Sequence, residues 1–349
     1  MPKLPYETIR PVLGLLHATG IGRLAAPAFR GAGVIFTLHH VRPEIPRGFA
    51  PNRLLEVTPD FLDAVIGRVV ERGYDLVTLD EAADRLERGG RRFVAFTLDD
   101  GYRDNVEHAL PVFRRHNCPF TLFCVPDFLD GRGELWWLGL EEAVRRCDAV
   151  PDVGGEPGAM LPTRDDAEKT AAFARIYGHL RRSSNAEMFD DVRRLCAHAG
   201  FALTDLCAPL CLRWDELAQA AREPLLSVGA HTMSHPFLAK LPIDGARAEI
   251  VRSRQALEDR LGKPVTSFAY PVGDRSAAGL REFALCVEAG FRIGVTTRPG
   301  LLHREHADYP HALPRVSLNG EFQDLRFVDE LLNGLPFALL NRFRRVNVD

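Results

Sequence analysis

The segment TLDDG at 97–101 sets two carboxylates, Asp99 and Asp100, directly after an apolar run and directly before a glycine. Adjacent carboxylates repel unless a cation sits beside or between them. A divalent metal meets that need: one Asp binds the ion while its neighbour stays free as a base. Gly101 permits the tight turn this requires. A surface Asp-Asp-Gly turn carries the same letters, so the segment alone does not decide. HTMSHP at 231–236 is a second constellation, with His231 and His235 four apart after the apolar run LLSVGA. Pro236 disfavours helix at His235, so the pair is expected on a turn just past a strand, with both imidazoles aimed at one place. Two His and one carboxylate form an open metal site with positions left for water and substrate. FAYPVG at 268–273 is a third strand end. There Tyr270, Pro271 and Gly273 would make a stiff loop over the same rim, although such a loop alone is more often a structural turn.

These segments need elements to hold them. VIFTLHH (34–40), DLVTL (75–79), FVAFTL (93–98), FTLFCV (120–125), LLSVGAH (225–231), TSFAY (266–270) and RIGVTT (292–297) read as buried strands. Amphipathic stretches lie between them, among them 61–73, 105–116, 246–262 and 279–290. Such alternation predicts an α/β protein with parallel strands and helices outside. About seven strands suggest a complete or broken (β/α) barrel, with an open doubly wound sheet as the structural alternative. In a barrel the C-terminal strand ends form the active face, which is where all three segments fall. Residues 132–218 break the rhythm and read as a helical insertion. Trp136 and Trp137 at its start fit either a sugar-stacking platform or a pin between insertion and barrel. The expected organisation is a helical segment over 1–32, a barrel over 33–325 and a helical tail over 326–349.

The 349 residues are 46% hydrophobic and 26% charged, with a formal net charge of −3. That supports a globular core and argues against an electrostatic nucleic-acid binder. The apolar N-terminal stretch is interrupted by His17, Gly20 and Arg23. It reads as a helix of a cytoplasmic protein, one that can rest on a membrane surface, rather than as an export signal. Seven cysteines without a C-x-x-C pair read as reduced, packed thiols, and no G-x-S-x-G elbow supports a serine hydrolase.

The order TLDDG, HTMSHP, FAYPVG resembles the polysaccharide deacetylase family, carbohydrate esterase family four, whose fold is the NodB-homology domain. The resemblance spans roughly residues 33–320. It implies a distorted (β/α) barrel and removal of acetyl groups from N-acetylated sugars of the N-acetylglucosamine type. It also implies Asp99 as catalytic base and Asp100, His231 and His235 as metal ligands. Zinc suits the donor set, and cobalt, nickel or manganese also fit. FTLHHV (36–41) is similar to the tyrosine-histidine strand of one branch of the family, with His39 at the histidine and Leu38 in place of the tyrosine. His39, Tyr270, Pro271 and Trp136 are the expected substrate contacts.

This sequence departs from the family pattern in two places. The third-motif arginine that orients the catalytic Asp is replaced by Ala269, and the later ALPRV segment offers Arg315 as the missing cation. The last motif, a Leu-x-His on a final strand, has no clear counterpart, which leaves His303, His306 and His311 as candidate general acids. A short N-acetylated oligosaccharide or a lipid-linked glycan precursor is the expected substrate. An amidase or deformylase on a lipid-linked or small-molecule amide, or a catalytically silent sugar-binding barrel, are the alternatives.

Overall fold

Seven parallel strands close on themselves: β1 (Gly33–Leu38), β2 (Phe93–Leu98), β3 (Phe120–Cys124), β4 (Leu226–Ala230), β5 (Ser267–Ala269), β6 (Ile293–Pro299) and β7 (Leu313–Ser317). The chain is described over residues 6–348 of a computed structural model. Residues 1–5 of the expected N-terminal segment and Asp349 of the tail lie outside the described residues. Closure comes from β1, which pairs along its whole length with β2 and also with β7, and this rules out the open sheet.

The strand count agrees with expectation but the membership does not. DLVTL forms only a two-residue strand, Asp75–Leu76, paired with the first residues of β2, and the chain enters a helix at Leu79. The seventh barrel strand is LPRVS at 313–317. Pro314 and Arg315 disguise it, because an arginine in a short apolar run reads as solvent-facing.

Successive strand side chains point to opposite faces, and the core divides accordingly. Val34, Phe36 and Leu38 of β1 and Val94, Phe96 and Leu98 of β2 pack outward against helix residues such as Leu62, Val65, Ile66 and Phe113. Ile35, Ala95, Phe123, Val295 and Leu313 cluster on the other face, inside the barrel. Continuing the inward phase from Ile35 through Thr37 reaches His39. From Ala95 through Thr97 it reaches Asp99, and from Leu313 it reaches Arg315. The apolar alternation that builds the barrel thus carries three of the chemically interesting residues to its mouth.

Residues 132–218 contain helices Trp136–Arg146, Asp166–Arg182 and Asn185–His198 with a small antiparallel hairpin, Ala149–Pro151 against Met160–Pro162. Leu140, Ile176, Leu180, Met188, Val192 and Leu195 give this region its own core. The second and third of these helices start on side-chain caps: Asp165 accepts from the Glu168 amide, and Ser184 forms a capping box with Glu187.

Candidate active site

Asp99 follows β2, and its amide donates to the Leu38 carbonyl of β1 at 3.0 Å. The in-register pairing Leu38↔Leu98 therefore sets His39 beside Asp99. Asp100 and Gly101 both adopt left-handed backbone, with φ of 73° and 68°. Two such residues in succession turn the chain back sharply, so Asp100 stays over the mouth instead of following the inward-outward alternation.

The histidine turn is held by its own neighbours. Thr232 and His235 have φ of 62° and 63°, and the Thr232 hydroxyl accepts from the His235 amide at 3.0 Å. Glu249, on the helix Ile243–Leu261, accepts from the Met233 and Ser234 amides and from the Ser234 hydroxyl, each at 2.9 Å. Val272, on the FAYPVG loop, also has positive φ, 61°. Four non-glycine residues in left-handed backbone thus lie on the three motif loops. Such conformations cost on the order of 1–3 kcal/mol each and persist only where surrounding contacts enforce them.

These turns bring one oxygen and two nitrogens together. Asp100 Oδ1 lies 3.5 Å from His231 Nε2 and 3.4 Å from His235 Nε2. A tetrahedral ion with bonds of about 2.0–2.1 Å has edges of about 3.3–3.4 Å, so the spacing fits a shared divalent metal. Asp100 Oδ1 is buried and has no hydrogen-bond partner, as an atom reserved for an ion would be. His231 Nδ1 donates to the Ala269 carbonyl at 2.7 Å, which leaves the Nε2 lone pair facing the centre. Asp100, His231 and His235 are the one such group of three or more potential ligands among the described residues.

Beside this triangle, Arg315 grips Asp99 through two bonds of 2.7 Å, Nη1 to Oδ1 and Nη2 to Oδ2. The arginine is 1% exposed. Its Nε donates to the Thr296 carbonyl and its Nη1 also to the Thr97 hydroxyl. The β6–β7 register slips between Val295 and Pro299, and Thr296 lies in that slipped stretch.

The electrostatics follow from burial and these contacts. Burial is the largest influence on Asp99 and pushes its carboxyl up. The charge and hydrogen bonds of Arg315 outweigh it and, with His231 and His39, leave Asp99 below the usual carboxylate range. Asp100 is likewise held low: burial opposes, but the neighbouring imidazoles of His231, His235 and His39 prevail. Burial pushes His235 down to about 4 against the pull of Asp100. His231 is raised: burial lowers it, but the adjacent carboxylates of Asp100 and Asp99 and the bond to the Ala269 carbonyl win.

A sequence model described as polysaccharide deacetylase matches residues 87–150 and 162–286, more than half of the chain. The chain belongs to the polysaccharide deacetylase family. YxkH of Bacillus subtilis (strain 168) is 21% identical over 252 residues, 71% of this chain and 61% of YxkH, so the match spans less than two thirds of that relative. Among solved structures, the Streptococcus pyogenes deacetylase PplD in complex with acetate superposes with a TM-score of 0.56 at 16% identity, over 85% of this chain and 97% of PplD. IcaB from Ammonifex degensii gives 0.53 at 17% identity, over 87% and 97%. At these identities the structures establish the (β/α) barrel fold.

Against the deacetylase frame, several expected contacts fall elsewhere. Trp136 is buried, with its ring stacked on Tyr177 and close to Phe237 and Trp137, so it pins the insertion and offers sugar no face. Trp137 is also buried, its ring centroid 4.8 Å from that of His235. Tyr270 is fully buried and donates its hydroxyl to the His311 carbonyl, away from the rim. Pro271 is buried in the loop. His303, His306 and His311 are all at the wrong end of the barrel. Leu302 bridges to Gly33 at the start of β1, and His311 bonds the carbonyl of Phe291, just before β6. They cannot reach the mouth, because the LLH letters lie on a loop below the barrel.

His39 does reach it. It is half-buried, and its environment includes Asp100, Asp99 and Arg315. Burial lowers its pKa, partly offset by those two carboxylates.

Sequence reasoning missed three supports. Asp104 takes His40 Nδ1 at 2.6 Å, and His40 stacks on Tyr102 with centroids 3.6 Å apart. Glu249 braces the histidine turn as described. Asn185 exchanges two hydrogen bonds with the Phe237 backbone, tying the insertion to the chain just after His235. Asp104, five residues past Asp99 on the same loop, was the one with a visible cue.

Proposed function

We propose that this chain is a metal-dependent hydrolase that removes N-linked acetyl groups from N-acetylated carbohydrate. Asp100, His231 and His235 hold the ion. When bound, the ion acidifies water and polarises the acetyl carbonyl. Asp99 is the base: it is unligated, it lies next to the ligand Asp100, and Arg315 keeps it ionised and fixes both its oxygens. Arg315 thereby takes the positioning role that the third-motif arginine has elsewhere in the family, and the main reason to expect a silent sugar-binding barrel disappears.

His39 is the group placed to hand a proton to the leaving amine. It is half-buried at the mouth beside Asp99, and His303, His306 and His311 lie at the far end. The proton it hands on is the one Asp99 takes from water, so the transfer needs no outside donor.

The observation that carries this reading is the bidentate Arg315–Asp99 pair beside an unsatisfied Asp100 oxygen that faces the Nε2 atoms of His231 and His235. The test is acetate release from N-acetylglucosamine oligomers by protein supplied with zinc, cobalt, nickel or manganese, with Asp99→Asn as control. Metal-dependent release that the control lacks supports the reading. Metal-loaded protein that releases no acetate from any N-acetylated sugar overturns it.

A further inference from the structure

A cavity of about 410 Å³ opens at the N-terminal end of the barrel, opposite the active mouth. Six arginines line it: Arg30, Arg85, Arg91, Arg92, Arg304 and Arg345, with Glu305 as the single lining carboxylate. Arg85 and Arg91 are neutralised by Asp75 and Glu81, and Arg345 by Glu305. Arg92 lies over the Tyr74 ring. For Arg30, Arg92 and Arg304 no carboxylate partner is found among the described residues. The guanidinium of Arg304 lies against Gly89, where an added Cβ would fall 2.3 Å from its Nη2. The cavity therefore has an excess of guanidinium donors, the group that best matches phosphate oxygens.

A second observation adjoins the first. Pro27 and Ala28, which line the cavity, lie on the helix Ile21–Phe29. One turn back on the same helical face stand Leu24, 82% exposed, and then Ile21, 50% exposed. Phe29 approaches Phe343, 63% exposed, with ring centroids 6.0 Å apart. Leu339 and Leu340 are exposed on the helix Leu335–Leu340, which packs against Ile21–Phe29. Val12 and Leu15, also exposed, continue the apolar surface on the preceding helix, and the two helices bend by 96° at Gly20. No single helix among the described residues is long and apolar enough to cross a membrane. Exposed apolar side chains beside a basic cavity are the two parts of an interfacial lipid contact.

We propose that this end of the barrel docks on an anionic phospholipid surface, with Leu24, Ile21 and Phe343 entering the headgroup layer and a lipid phosphate bound by Arg30, Arg92 and Arg304. The surface commits to lipid rather than free phosphate because the apolar side chains would gain nothing from a soluble anion. The barrel strands, about six residues long at roughly 3.3 Å per residue, then hold the active mouth on the order of 20 Å from the lipid plane, facing away from it.

The test is sedimentation of the full chain with vesicles of phosphatidylcholine alone and with phosphatidylglycerol added. Binding is expected to the anionic vesicles and to weaken with added salt. Arg30→Glu with Arg304→Glu, and separately Leu24→Asp, should each weaken it by about tenfold or more. All three residues are exposed, so the melting temperature should hold, and acetate release from soluble oligomers should be unchanged. The proposal is overturned by equal affinity for both vesicle types, by no binding to either, or by binding that all the variants retain. It is also overturned if pyrophosphate protects the cavity from arginine modification while anionic vesicles do not.

Discussion

Arg315 and Asp99, 216 residues apart in sequence, are joined by two parallel hydrogen bonds of 2.7 Å inside the mouth of the barrel. Asp99 is 2% exposed, so the pair is one of buried ions. Removing one member of such a pair leaves the other charge uncompensated, which costs about 3–5 kcal/mol. Arg315→Met should therefore lower unfolding free energy by about that amount. It should also release Asp99 to the upward push of burial. A base with a depressed pKa works at every pH above that value and fails as the pH falls through it. In the variant that acidic limb should move to higher pH. A pH–rate profile for acetate release checks this, and an unmoved limb would show that Arg315 does not set the ionisation of Asp99.

The metal triangle and the base should separate by mutation. His235→Ala removes one of the three proposed ligands and should abolish both metal content and turnover. Asp99→Asn leaves the ligand set whole. It should keep stoichiometric metal by elemental analysis while turnover drops by about 10²–10⁴-fold, the usual contribution of a general base. A chelator should reproduce the His235→Ala phenotype in the parent protein, and added zinc should restore activity. If Asp99→Asn loses the metal as well, Asp99 is a ligand and the division of labour between the two carboxylates is wrong.

The parts of this site that were legible in the sequence are those where chemistry and strand-end position coincide in a short segment. TLDDG and HTMSHP each end an apolar run in ligand-type residues, and the structure places them together. Arg315 was legible only through the family pattern, because an arginine in ALPRV looks exposed until barrel closure points it inward. The histidines at 303, 306 and 311 misled for the converse reason: the letters of the motif were present, but the Pro299-Gly300 break puts them on a loop below the barrel. Tyr270 and Trp136 show that an aromatic next to a motif is as readily core as contact surface. Glu249 gave no local signal, since a charged residue on an amphipathic helix reads as solvated, and only the fold turns it towards the histidine loop.

That hidden support is testable. Glu249 accepts three hydrogen bonds from Met233 and Ser234, which lie between His231 and His235. Glu249→Ala should loosen the turn and weaken metal affinity by about 10–100-fold, the usual cost of losing an outer-shell partner. Glu249→Gln retains a carbonyl oxygen for the two amides and should recover most of that loss. Competition with a metallochromic chelator measures both. Equal affinity in the parent and the alanine variant would mean that Thr232 and the barrel hold the turn unaided.

His306 makes a pH-dependent contribution to stability away from the chemistry. It is buried beneath the barrel, and its Nδ1 accepts from the His303 amide at 3.0 Å, so the neutral ring suits the fold. Burial pushes its pKa from 6.5 down to about 4. Between those values the unfolded chain binds more protons than the folded one, so stability rises with pH across that window. The contribution is complete above 6.5 and is lost as pH falls towards 4. At about 1.4 kcal/mol per pKa unit the loss is on the order of 3 kcal/mol. His306→Asn places an amide oxygen near the Nδ1 position and removes the titration. Urea unfolding at pH 7 and pH 4.5 should show a smaller drop between the two conditions in the variant than in the parent. An equal drop in both proteins would assign the acid sensitivity to other groups.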